Sequence, residues 1–196
     1  MVKEFTYLSL FAQAPDSTFS LQEFEDRHGT PHQTVRRYLD RLVRQGVLVE
    51  DKRKRFRFYA LDLGNPFTLD ALSICEKLRL QGRLEEDSLF GELYRHLSRH
   101  FSTCGFLLFG SATHAQGYDD FDVLCFGEDA GVEGTVREFE ESFGKPVELL
   151  RTTPRNVSGT LKRELISKHL ILNDHDWFVR YLVGKESGRE VGVEHS

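Results

Sequence analysis

Two carboxylates sit two residues apart in Asp120-Phe121-Asp122-Val123-Leu124-Cys125-Phe126, a segment that otherwise reads as an apolar strand. Side chains alternate along a strand, so Asp120 and Asp122 share one face while Phe121 and Val123 take the other. The strand rise sets their Cα atoms about 7 Å apart. Two carboxylates so placed can share a pair of divalent cations, and hard cations such as Mg²⁺ take oxygen ligands of this kind. The neighbouring sequence adds to the constraint. Phe106-Leu107-Leu108-Phe109 reads as a buried strand bounded by glycines. It runs into Gly110-Ser111 and then a small, polar loop from Ala112 to Asp119. A Gly-Ser turn at a strand end offers backbone N–H groups and a hydroxyl to a phosphate. Downstream, Val132, Val136, Phe139 and Phe143 form a helical stripe that Gly144 stops. Pro146-Val147-Glu148-Leu149-Leu150 then predicts a third strand. Glu148 is a lone carboxylate there, expensive to bury unless paired or metal-bound. Beside Asp120 and Asp122 it completes a three-carboxylate site.

The N-terminal third has another character. Phe5, Leu8 and Phe11/Ala12 predict a short amphipathic helix over 4–13. Ser20 and Glu23 form a capping box, with Phe19 and Phe24 as its hydrophobic staple. That helix stops at Gly29. Thr30 as N-cap, Pro31 at N1 and Gln33 at N3 start the next. Two helices about three residues apart have helix-turn-helix spacing. The second buries Val35, Tyr38, Leu39 and Leu42 and ends at Gly46. Its opposite face shows Gln33, Arg37, Asp40 and Arg44, flanked by Arg36 and Arg41. Arg and Gln are the side chains that read guanine and adenine in the major groove. Val47-Leu48-Val49, a turn over Asp51-Lys52-Arg53-Lys54 and a return strand Arg55–Tyr59 predict a hairpin with a basic tip. This order, over about residues 1–62, resembles the winged helix-turn-helix family. The resemblance implies DNA contacts from His32, Gln33, Arg36 and Arg37 on the helix and from Arg53 and Lys54 on the wing. A protein-docking module is the other reading of the same segment.

The net charge of −5 alone speaks against a nucleic-acid binder, but it is an average. Residues 1–65 carry 11 basic and 9 acidic residues, a net +2, whereas 66–196 carry 15 and 22, a net −7. Within 32–60 there are 9 basic and 3 acidic residues, a local +6. Two units with different partners are expected, divided near Gly64-Asn65-Pro66. Residues 65–84 read as a helical connector, starting at Thr68-Leu69-Asp70-Ala71 and ending near Gly82. A helix over about 85–101 follows, with Leu89, Phe90, Leu93, Tyr94, Leu97 and Phe101 as its stripe. His96 and His100 have metal-ligand spacing but no third ligand nearby, so they read as surface histidines. The tail over 185–196 is polar and reads as frayed. The 16 Phe residues exclude disorder for most of the chain. No run suits a membrane span, and the start is too polar for a signal peptide. Three scattered cysteines, Cys75, Cys104 and Cys125, argue against a disulfide framework and for a cytoplasmic location.

Leu108-Phe109-Gly110-Ser111, a loop with Gly117, Asp120-x-Asp122 and then Glu148 on a later strand resemble the nucleotidyltransferase superfamily related to DNA polymerase beta. The likeness is closest to its minimal prokaryotic members, over about residues 85–182 of a domain expected to run from 85 to 184. The resemblance implies an α+β chain, a winged helix-turn-helix joined to a mixed sheet with flanking helices. It implies that Gly110 and Ser111 hold an NTP. Asp120 and Asp122 would ligate two Mg²⁺ ions, with Glu148 ligating one and helping to activate an acceptor hydroxyl. Three positions depart from the family pattern. The eight residues between Ser111 and Asp120 make a short loop, Asp119 replaces the usual Ser, and Glu148 replaces the commoner Asp. Two functions stay open: a DNA-binding nucleotidyltransferase, or a transcriptional regulator whose inactive second domain senses a nucleotide or mediates dimerisation. Winged helices usually bind paired half-sites, so a homodimer is expected. Arg151 reads as a solvated strand end, and the aromatic segment around Trp177 as core or dimer contact.

Overall fold

A computed structural model describes residues 3–53, 56–114 and 117–185. The chain is α+β and divides into two compact units, Met1–Leu78 and Arg79–Ser196. The predicted contact residue Lys54 and the tail beyond residue 185 lie outside the described residues. No described helix is long and apolar enough to cross a membrane. All three cysteines are buried, and none forms a disulfide among the described residues.

The first unit begins with a 3-10 helix, Lys3–Leu8, which passes into α1, Ser9–Gln13. A single α-helix over 4–13 is expected from the sequence; instead, the apolar residues Phe5, Leu8 and Phe11 recur every three residues. That is the period at which 3-10 side chains eclipse, and all three are buried. Next come β1 (Phe19–Ser20), α2 (Leu21–His28) and α3 (His32–Arg44). The Ser20/Glu23 capping box is formed, and Gly29 ends α2 in the left-handed region at φ 57°. The Phe19 and Phe24 rings of the staple pack edge to face, 6.1 Å apart. The start of α3 differs from expectation. Pro31 is the N-cap, with an extended ψ of 140°, and Thr30 turns its hydroxyl back to the His28 carbonyl. Val35, Leu39 and Leu42 of α3 are fully buried, as their spacing predicts, whereas Tyr38 of the same stripe is only half-buried.

The hairpin is longer than predicted. Strand β2 (Leu48–Arg53) pairs antiparallel with β3 (Phe56–Leu61), so Asp51, Lys52 and Arg53 lie in the ladder and not in the turn. Arg57 explains part of this. Its guanidinium reaches Glu50 and Asp40, and such cross-strand pairs support extended pairing. Strand β1 adds to β3, giving the sheet order β1-β3-β2.

Helix α4 (Pro66–Glu86) runs through the division between units. Gly82 does not end it: a helical glycine costs only about 1 kcal/mol. The break falls at Asp87, whose carboxylate accepts from the Phe90 N–H and caps α5, Ser88–Leu97. The second unit then supplies β4 (Gly105–Phe109), β5 (Phe121–Phe126), α6 (Val132–Phe143), β6 (Val147–Thr152), α7 (Gly159–Ser167), β7 (His169–Ile171) and α8 (His175–Leu182). The sheet order is β6-β5-β4-β7, with β5 and β6 parallel and the other pairs antiparallel. Alternation gives each sheet face its own cover. Phe106, Leu108, Phe121, Val123 and Cys125 share a buried cluster with Phe90, Leu93 and Leu97 of α5 and Val132, Val136 and Phe139 of α6. On the other face Phe126 meets Phe178, Trp177 and Tyr181 of α8 at 5.7 Å each. Trp177 therefore belongs to this packing.

Candidate functional site

Strand directions bring the chemistry to one end of the four-stranded sheet. Antiparallel pairing puts the end of β4 beside the start of β5, and parallel pairing puts the start of β6 there too. In register, Phe109 lies opposite Asp122, and Asp122 lies beside Glu148. Asp120 sits on the bend just before β5. One carboxylate oxygen from each of Asp120, Asp122 and Glu148 lies within 4.8 Å of the others. The α6 crossover makes this possible by returning β6 alongside β5 with Glu148 at the right register.

Asp120 and Asp122 are half-buried, whereas Glu148 is exposed. The expectation that Glu148 pays a burial cost is therefore overturned. Strand β6 is the edge of the sheet, and its Asp122-facing side is open enough to leave Leu150 36% exposed as well. Burial pushes the Asp122 carboxyl above its ordinary range, and the charges of Asp120, Glu148 and Glu164 push it further. Glu164, on α7, is a fourth carboxylate that sequence spacing does not reveal.

Immediately after β4 the chain makes a 3-10 turn, Gly110–Thr113. Gly110 has φ 70°, and a Cβ there would stand 2.2 Å from Asp122 Oδ2. Only glycine allows both the left-handed backbone and the close approach of the carboxylate. The Thr113 hydroxyl donates to the Gly110 carbonyl at 2.8 Å, tightening the turn, and Ser111 is exposed at its outer side. An oxygen-only donor set held in mutual repulsion suits a hard divalent cation, which would relieve the repulsion.

Two other candidates are absorbed by structural bonds. His100 Nδ1 pairs with Asp129 at 2.8 Å, and its Nε2 with the Thr135 hydroxyl at 2.8 Å. His96 Nδ1 meets the Glu92 carbonyl. Neither is a loose surface histidine. Arg151 is not a solvated strand end: it donates to the Asp129 carbonyl and pairs with Glu133 at 3.2 Å. The two contacts tie the segment after β5 and the first turn of α6 to the sheet.

In the first unit, His32, Gln33, Arg36 and Arg37 are all exposed on the first turns of α3. Several cations nearby already have carboxylate partners. His32 meets Glu25, Arg36 lies 3.8 Å from Asp40, Arg53 lies 2.7 Å from Asp51, and Arg41 lies 3.3 Å from the buried Glu4. Asp40 and Asp51 already enter the local +6, so among these partners Glu4, from outside the segment, is the one that offsets a further counted charge. Arg37 lies over the Tyr38 ring, 5.5 Å from its centroid, and lines a cleft with Lys3, Glu4, Tyr38 and Arg41. No protein-family description, curated protein or solved structure matches the chain.

Proposed function

We propose that the chain is a divalent-cation-dependent nucleotidyltransferase whose first unit binds DNA. The observation that carries the reading is the convergence of Asp120, Asp122 and Glu148 within 4.8 Å, at the sheet end where the glycine turn begins. Asp120 and Asp122 would hold two divalent cations, whose charge would favour an in-line displacement at phosphorus. Glu148, exposed at the edge, would ligate one of them and orient the acceptor hydroxyl. Gly110 and Ser111 receive the NTP phosphates at the turn. The acceptor hydroxyl oxygen attacks the α-phosphorus and gives up its proton to solvent, the bond from that phosphorus to the bridging oxygen breaks, and pyrophosphate leaves. In the first unit, α2, the turn at Gly29, α3 and the β2-β3 hairpin follow the order of a winged helix-turn-helix. His32, Gln33, Arg36 and Arg37 are its base- and phosphate-reading side chains, with Arg53 from the wing. A homodimer on paired half-sites follows from this reading.

Labelled NTPs with Mg²⁺ or Mn²⁺ and a cell extract test the enzyme reading. Label should move to a macromolecular acceptor with the wild type and not with Asp120→Ala/Asp122→Ala. Saturable ATP binding without any transfer would overturn it in favour of a nucleotide-sensing regulator. For DNA, a mobility-shift titration should show salt-sensitive binding, with Arg37→Ala lowering the salt slope by about 1. Binding that ignores both salt and this substitution overturns the DNA reading.

A further inference from the structure

We infer that Arg83 is a positioning residue for nucleotide binding, holding both ends of the loop between the glycine turn and Asp120 through a single buried ion pair with Asp87. This rests on the nucleotidyltransferase reading above. Arg83 comes from α4 and is only 5% exposed. Its Nη2 donates to the Ala112 carbonyl at 3.2 Å, inside the Gly110–Thr113 turn. Its Nη1 lies 2.7 Å from Asp87 Oδ2. The same carboxylate oxygen accepts the Tyr118 hydroxyl at 2.6 Å. Tyr118 stands two residues before Asp120. Lys145 also holds it, donating to the Tyr118 carbonyl at 2.7 Å with its ammonium 4.5 Å from the ring centroid. The guanidinium lies over both the Phe90 and Tyr118 rings, at 5.0 and 5.6 Å. Asp87 is held in turn by the Phe90 N–H at 3.0 Å.

Stability alone is a poor reason for this arrangement. Arg83 Nε and Nη1 make no well-aligned hydrogen bond among the described residues, Nη1 meeting Asp87 as an ion pair alone, and a buried guanidinium that is incompletely bonded is costly. Replacing a buried ion pair by side chains of similar shape is often neutral or stabilising. What the pair supplies is direction. A planar fork aimed at one carbonyl fixes the Ala112 peptide, and hence the Gly110–Ser111 peptides that would face phosphate oxygens. Ala112 and Tyr118 are thereby clamped, while Ser111 beside Ala112 stays exposed.

The test uses the full chain with Arg83→Met/Asp87→Asn, which removes both charges while Asn keeps the α5 cap. Titration calorimetry follows MnCl₂ alone, then ATP, ADP and AMP in the presence of MnCl₂. We expect Mn²⁺ affinity within about twofold of wild type, an unchanged or higher melting temperature, and ATP affinity reduced about tenfold or more. The loss should grow with phosphate number, from AMP to ATP, and Arg83→Lys should recover part of it. A general loosening would instead lower melting temperature, Mn²⁺ affinity and AMP affinity together, and that result overturns the positioning role. Wild type that binds ATP, with a variant that binds it equally well, overturns this inference alone. Wild type that binds no ATP overturns the nucleotide reading, and the inference with it.

Discussion

Alanine at position 110 separates a backbone effect from an effect on the carboxylates. Gly110 has φ 70°, where an alanine costs about 1–2 kcal/mol. Its Cβ would also stand 2.2 Å from Asp122 Oδ2 and 3.3 Å from Cγ. Ordinary van der Waals contact begins near 3.4 Å, so the Asp122 carboxylate must move by about 1 Å. Gly144 is the internal control. It has φ 64° at the end of α6, and a Cβ there meets nothing within 4 Å. Gly110→Ala and Gly144→Ala should therefore share the backbone cost, each lowering the melting temperature by roughly 4–10 °C. Only Gly110→Ala should weaken Mn²⁺ binding, by about tenfold or more, because a displacement of this size is large against what a preorganised site tolerates. Differential scanning fluorimetry and Mn²⁺ calorimetry on both variants decide the matter. Equal Mn²⁺ affinity in the two would refute the argument that Gly110 is there to admit the Asp122 carboxylate.

Three further outcomes follow from the same structure. The Asp122 carboxyl titrates above its ordinary range, chiefly through burial, so in its ionised form it opposes folding; the penalty is present at neutral pH and absent below the unfolded pKa. Asp122→Asn should therefore melt higher than wild type in EDTA at pH 7, lose that advantage near pH 3, and show no rise on adding Mn²⁺. The Asp129 carboxyl is held down to about 2 from 3.8 by His100, then by the Gly131 N–H and Thr103. Its stabilising contribution is complete above the unfolded value and vanishes as pH falls through about 2, so melting curves of wild type and Asp129→Asn should converge over that window. Ser20→Ala should cost about 1 kcal/mol by removing a formed capping box. Thr30→Ala should stay within about 0.5 kcal/mol, since its hydroxyl bonds the His28 carbonyl and caps nothing; chemical denaturation of the two variants compares them.

Many local signals in this chain carried through, though the Thr30 cap and the Gly82 stop did not. Ser20 with Glu23 caps α2, Gly29 and Gly144 take the left-handed ends of α2 and α6, and the α3 stripe packs as its period requires. The carboxylate positions were legible because a charged side chain in an apolar strand has few places to go. What escaped was set by partners distant in sequence. Strand β1 is two residues long, too short for any periodicity, and exists because β3 pairs with it. Glu148 reads as buried because its strand neighbours are apolar, yet the sheet order leaves β6 at an edge. Arg83 looks like an ordinary surface residue of a helix until the Ala112 carbonyl and Asp87 are seen around it. The +6 of the basic segment already counts Asp40, Glu50 and Asp51, whereas Glu4, which comes from outside it to face Arg41, is invisible to the count.

The central claim is that Asp120, Asp122 and Glu148 form a divalent-cation site serving a nucleotide at Gly110 and Ser111. Crystals of the full chain soaked with MnCl₂ and a non-hydrolysable ATP analogue, measured at the manganese edge, test it directly. The account predicts anomalous peaks among the three carboxylates, two of them about 3.5–4 Å apart, with the analogue's phosphates against the Gly110–Thr113 turn. Ordered analogue bound elsewhere, with no anomalous peak at these carboxylates, would contradict it.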